Sequence, residues 1–259
     1  MGTLAAIRLV FSTQVMTILR SRRAFICLLL ALTPGLVSLL PPVPQAAMSE
    51  VVQMIGMMLL LQFIAPVIGL IAGSSVLSEE IENRTITYAF TRPVPRIALF
   101  LGRYLATLVL VCGLLALAAL AVSACAGLRG RPNDLPEGAA MALVTAAVLG
   151  GAIYSLITGA LGVFVKRPIV VGLFYLIAME GMLANLPGSG QKATLQYYLR
   201  SISTRLGVEE NPFLREIPLI QNTAFLTPTE AVVRLLLFLG FGVAVAAWGI
   251  RRRQYVLTS

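Results

Sequence analysis

The sequence predicts an all-α integral membrane protein with six transmembrane helices, and three observations carry that expectation. The chain of 259 residues is 58% hydrophobic and 12% charged, with a mean hydropathy of +0.89; soluble chains carry about 25% charged residues. Apolar runs longer than about 18 residues, enough to cross hydrocarbon as a helix, recur along it. Most basic residues sit beside those runs. A net charge of +9 would suit nucleic acid, but this distribution is the one that membrane topology demands. A lipid membrane is therefore the expected partner, and nucleic acid is not.

Residues 1–23 come first. Leu4, Ile7, Phe11, Val15 and Ile18 recur at helical spacing, with Arg8, Ser12 and Thr13 elsewhere on the wheel. That pattern predicts an N-terminal amphipathic interfacial helix, closed by Arg20, Arg22 and Arg23. The spans are expected at about 24–40, 51–77, 97–126, 139–165, 169–187 and 229–250. Pro34 and Pro66 lie within the first two, where neighbouring helices can satisfy the backbone groups a proline frees. In the fourth, Gly151, Ser155 and Gly159 form a small ridge that lets another helix approach closely. That ridge suits packing inside the subunit or across a dimer.

The longest polar stretch, 188–228, reads as an extracytoplasmic segment with one or two short helices. Tyr197, Tyr198 and Leu199 are expected at the outer interface, since tyrosine rings favour the headgroup level. Six spans put both termini on one side. Thirteen of the 20 basic residues fall on that side, which the positive-inside rule makes cytoplasmic. Cys27, Cys112 and Cys125 lie in apolar runs, with neither a metal pattern nor a disulfide framework. They read as small buried residues.

Between the second and third spans stands a charged island, Ser78 to Arg96, holding Glu79, Glu80, Glu82, Arg84, Arg92 and Arg96. Each such charge at the bilayer centre costs about 2.5–3.5 kcal/mol on insertion scales, so the island is an aqueous loop. Ser78 can cap a short helix with acids in its first turn. Thr91-Arg92-Pro93 stops it, because the residue before a proline is pushed out of α geometry.

The sequence contains no histidine, which removes histidine metal sites and histidine-assisted nucleophiles together. No catalytic residue and no metal ligand is expected. No G-x-x-x-x-G-K-[ST] occurs, so the chain does not cradle nucleotide phosphates itself. Glu79, Glu80 and Arg84 spell a fragment of the signature of CAAX-type membrane proteases, whose other motifs need histidines. Glu180 is the acid inside a span, a functional-site candidate by default. It lies about 10 Å below the outer end of the fifth span, and Arg234 about 9 Å below that of the sixth. Similar depth on consecutive antiparallel helices makes an ion pair the expected arrangement.

The run Glu80-Ile81-Glu82-Asn83-Arg84-Thr85-Ile86, then Tyr88 and Arg92-Pro93-Val94-Pro95-Arg96, resembles the signature loop of ABC type-2 permeases. Arg84 stands where many members carry glycine. The resemblance implies the permease subunit of an ATP-driven ABC exporter, in the cell membrane of a bacterium. It implies a second permease subunit, as a homodimer, and a separate cytoplasmic ABC ATPase that binds ATP and Mg. The permease itself would be no enzyme. Residues 78–96 would be the cytoplasmic coupling loop, with Glu79, Glu80, Glu82, Arg84, Thr85, Tyr88, Arg92, Pro93 and Arg96 at the ATPase contact. Two other classes stay open: a secondary transporter, and a membrane assembly protein recruiting a periplasmic partner through 188–228.

Overall fold

A computed structural model describes residues 3–39, 48–76, 96–129, 137–165, 167–183, 189–204 and 225–252, and the regular structure among them is helical throughout. The first helix, α1, spans Thr3–Leu19. It packs along the third span, with Ala6 buried and Val10 seated on Gly102, where an added Cβ would come within 2.9 Å of Val10 Cβ. Leu9, Met16 and Leu19 stay exposed. The chain turns at Arg20-Ser21, and Ser21 Oγ accepts the Ala24 N–H at 3.2 Å. That capping bond starts α2, Arg22–Leu39. Pro34 within it cannot donate to Leu30 O, and Thr33 Oγ1 donates to that carbonyl instead at 2.7 Å.

The second span is one continuous rod wound in two ways. It begins as α3, Met48–Met54, widens into π-helical turns over Ile55–Ile64, and tightens again as α4, Ala65–Ser74. Pro66 sits in the first turn of α4, the place a helix tolerates it. Then α5 runs Arg96–Arg129 and α6 Ala139–Phe164. The turn into α6 uses Gly138 at φ +81°, a left-handed conformation that favours glycine.

The expected fifth span is shorter than its apolar run. It comprises α7, Pro168–Tyr175, and wide turns over Leu176–Met182, about 22 Å of α-helical rise at most, against a hydrocarbon core of about 30 Å. A tight turn over Ser189–Ala193 leads to α8, Leu195–Ser203, and α9 covers Pro228–Arg252. Among the described residues five helices are thus long and apolar enough to span a membrane, with Ala5–Leu19 and Pro168–Met182 as shorter apolar helices.

The fourth span, α6, is the hub, packed on α4, α5, α8 and α9. Its small ridge works inside the subunit. A Cβ on Gly151 would collide with Leu115 of α5, and one on Gly73 of α4 would collide with the Ser155 carbonyl. Lipid is as apolar as leucine, so helices in a membrane gain little by merely meeting. Close backbone approach is what holds them. The three cysteines are free, with Cys27 and Cys125 buried as expected.

One expectation is overturned by the position of α8. Its residues do not lie at an outer interface: Leu195 through Ser203 are all buried in the bundle, Tyr197 at 3% and Tyr198 at 5% exposure. The helix is polar on average, and the bundle interior supplies the partners that its polar groups need.

Candidate functional site

Two regions carry the polar chemistry of the molecule. The first is the base of the charged loop. Glu79, Glu80, Glu82, Arg84, Thr85, Tyr88, Arg92 and Pro93 lie outside the described residues, and Arg96 opens α5. Just before the loop, Ser75 and Val76 turn out of α4 by bonding back to Ala72 O and Gly73 O, each at 3.2 Å. Val76 is then fully buried with Phe100 and Tyr104 of α5, Leu156 and Val163 of α6, and Ala246 and Ile250 of α9. The Phe100 and Tyr104 rings stack at 6.0 Å, and Tyr104 Oη donates to Ala152 O at 3.0 Å. Arg103 Nη1 donates to Val76 O at 3.4 Å, a basic head satisfying the last carbonyls of a helix. The described residues that flank the loop, Val76 before it and Phe100 and Tyr104 after it, therefore share one packed unit.

The second region surrounds Glu180, which is 5% exposed. Its Oε1 accepts the Leu195 N–H at 3.1 Å and its Oε2 the Gln196 N–H at 3.0 Å. Thr194 Oγ1 accepts the third amide of that helix, from Tyr197, at 3.4 Å. The opening turn of α8 is thus received by a carboxylate from another element, where the helix dipole favours negative charge. Tyr175 Oη donates to Glu180 Oε1 at 2.9 Å. Farther along α8, Arg200 donates from Nη2 to Gln62 Oε1 at 3.3 Å. Gln196 Nε2 bridges Leu61 O at 3.1 Å and Tyr154 Oη at 3.2 Å. One short helix thereby ties the second, fourth and fifth spans together through side chains.

The sequence singled out Glu180 as the acid inside a span, and the structure buries it. Arg234, the partner expected for it, is exposed on α9, whereas the hydrogen bonds to Glu180 come from Tyr175, Leu195 and Gln196. Equal depth on neighbouring helices fixes height and not direction. Sequence reading also missed Gln62, Tyr154, Tyr175 and Gln196. Signals were present: Thr194 is a capping residue ahead of a helix, and Gln196 and Arg200 are four apart, on one helical face. Beyond α8, its Ile202 joins Met141, Thr145, Thr229 and Val233 around an open apolar groove of about 480 Å³.

A bundle of apolar helices with a charged loop between two spans and a buried polar cluster has the build of a membrane transport component. ABC-2 family transporter proteins match the chain over residues 9–197. The chain belongs to that family, as the membrane permease of an ABC transporter. No curated protein sequence matches it.

Proposed function

We propose that the chain couples ATP hydrolysis, on a separate cytoplasmic ABC ATPase, to export or to a conformational signal across the cell membrane. Residues 78–96 dock on the ATPase, the acids Glu79, Glu80 and Glu82 facing basic groups there. A second permease subunit completes the assembly, and both termini lie on the ATPase side. The single observation that carries the reading is the base of the loop. Val76 at its entrance, and Phe100 and Tyr104 just beyond its exit, share one buried cluster with α6 and α9. A push on the loop therefore moves four helices as a body, where a loosely hinged connector would absorb it.

Two features weigh against the alternatives. A discontinuous-helix transporter aims a half-helix N-terminus at its anionic substrate; here the α8 N-terminus is already occupied by Glu180. Residues 195–203 are buried, so that stretch offers no surface to a periplasmic partner. The test is charge reversal at Glu80 and Glu82. The variant E80K/E82K is expected to insert normally and to lose the ATPase that copurifies with the wild-type chain. Undiminished copurification with normal stimulation of ATP turnover would overturn the docking assignment.

A further inference from the structure

The π-wound stretch of the second span leaves the Leu61 carbonyl without a backbone donor, for a reason written in the sequence. In this register each N–H reaches the carbonyl five residues back, and Ala65 N–H accordingly bonds Leu60 O. The next donor in the series would be residue 66, aimed at Leu61 O. Residue 66 is proline, which has no N–H. Leu61 is 1% exposed, so water does not serve its carbonyl, and an open buried acceptor is costly. Gln196 Nε2 donates to it instead, at 3.1 Å. If the same stretch were wound as an α-helix, Ala65 N–H would bond Leu61 O, four residues back. The carbonyl orphaned by Pro66 would then be that of Gln62.

We propose that the second span is a two-register switch read by Gln196. Wound wide, it offers the Leu61 carbonyl to Gln196 and seats α8 in the bundle. Wound as α, its own Ala65 N–H takes that carbonyl, Gln196 is released, and α8 loosens from the second span. Rewinding also rotates the residues on either side, including Gln62, the partner of Arg200. The span continues through α4 to Val76 and the charged loop, so the register is the mechanical link between the loop and α8. The proposal rests on the permease reading for that use alone; the switch itself needs no ATPase.

The experiment uses the full chain expressed by itself in membranes, with Cys27, Cys112 and Cys125 replaced by alanine. Ser203, buried in α8, becomes the reporter as S203C, and the rate of modification by a membrane-impermeant maleimide is measured. Q196L is expected to raise that rate about tenfold or more, because it strands the Leu61 carbonyl. Adding P66A restores a backbone donor and should bring the rate back to within about twofold of the S203C parent. Y154F removes the other partner of Gln196 and should not be corrected by P66A. An unchanged rate in Q196L, or the same rise with and without P66A, overturns the switch. Should Q196L fail to accumulate, recovery of its level by P66A supports the proposal, and continued loss overturns it. Failure here leaves the copurification test of Glu80 and Glu82 untouched.

Discussion

The base of the charged loop and the Glu180 cluster solve the same problem, holding helices together where water is absent, by opposite means. Around Val76 packing dominates and two hydrogen bonds, from Arg103 and Tyr104, accompany it, with glycines setting the distance: Gly159 of α6 lies against the Gly73 carbonyl and Val76, its Cβ position 3.5 Å from each. Around Glu180 they are hydrogen bonds between side chains and backbone of separate elements. Close-packed surfaces of the first kind deform little. Bonds of the second kind can be exchanged for others one at a time. On the proposed function, the first kind suits transmission at the loop end and the second suits rearrangement in the polar cluster.

The largest effect expected from breaking this comparison is at Glu180. Replacing it by alanine leaves the Leu195 and Gln196 amides open and removes the acceptor of Tyr175 Oη. Each buried donor left unsatisfied costs about 1–3 kcal/mol. E180A should show that loss in an SDS-unfolding titration of the purified chain, while R234A, on the exposed face of α9, should unfold as wild type. A larger loss for R234A than for R200M would restore the pairing that the sequence suggested.

At the loop end the corresponding test is G73V. A Cβ on Gly73 collides with the Ser155 carbonyl, which is backbone and cannot swing aside. Overpacking of this kind costs about 1–3 kcal/mol, and both α4 and α6 should shift. The same titration reads it. The loss should appear together with weaker ATPase copurification, since the base of the loop moves with α4. A stability loss with fully retained copurification would mean that the loop is held independently of its base.

Most of the fold was legible in the sequence because a membrane imposes few solutions. The apolar runs gave five long helices nearly to the residue, as at α6, where 139–165 was expected and Ala139–Phe164 is found. The Gly151, Ser155 and Gly159 ridge predicted a close contact but not its partner, since small residues say only that something approaches. The cluster around Glu180 was half legible. A buried carboxylate announces itself by cost, whereas the direction in which it finds relief depends on helix rotation, which hydropathy does not encode. The wide turns at Ile55–Ile64 left no composition signal at all. Only Pro66 hinted that a backbone acceptor nearby would need help.

A smaller effect separates packing from hydrogen bonding within the loop end itself. Tyr104 is 3% exposed, stacked on Phe100, and bonded to Ala152 O, which also accepts from Ser155 Oγ at 2.9 Å. Y104F keeps the ring and its stacking and removes one donor from an acceptor that keeps another. The expected cost is about 1 kcal/mol, with ATPase copurification unchanged. Loss of coupling in Y104F would show that the hydroxyl, and not the packed ring, carries the push.

The smallest effects belong to glycines that touch nothing, and they calibrate the rest. Gly113 of α5 and Gly240 of α9 would present an added Cβ to open space, with no atom within 4 Å. Each sits in a helix interior, where alanine is the better helix former. G113A and G240A should therefore fall within about 0.5 kcal/mol of wild type or slightly above it. Both faces point out of the subunit, so the pair also tests for a second copy. If a partner permease packs on one of them at close range, alanine there will weaken dimerisation in a detergent cross-linking assay without changing the unfolding of the single chain. Unchanged cross-linking in both variants would place the contact between permease subunits on some other face.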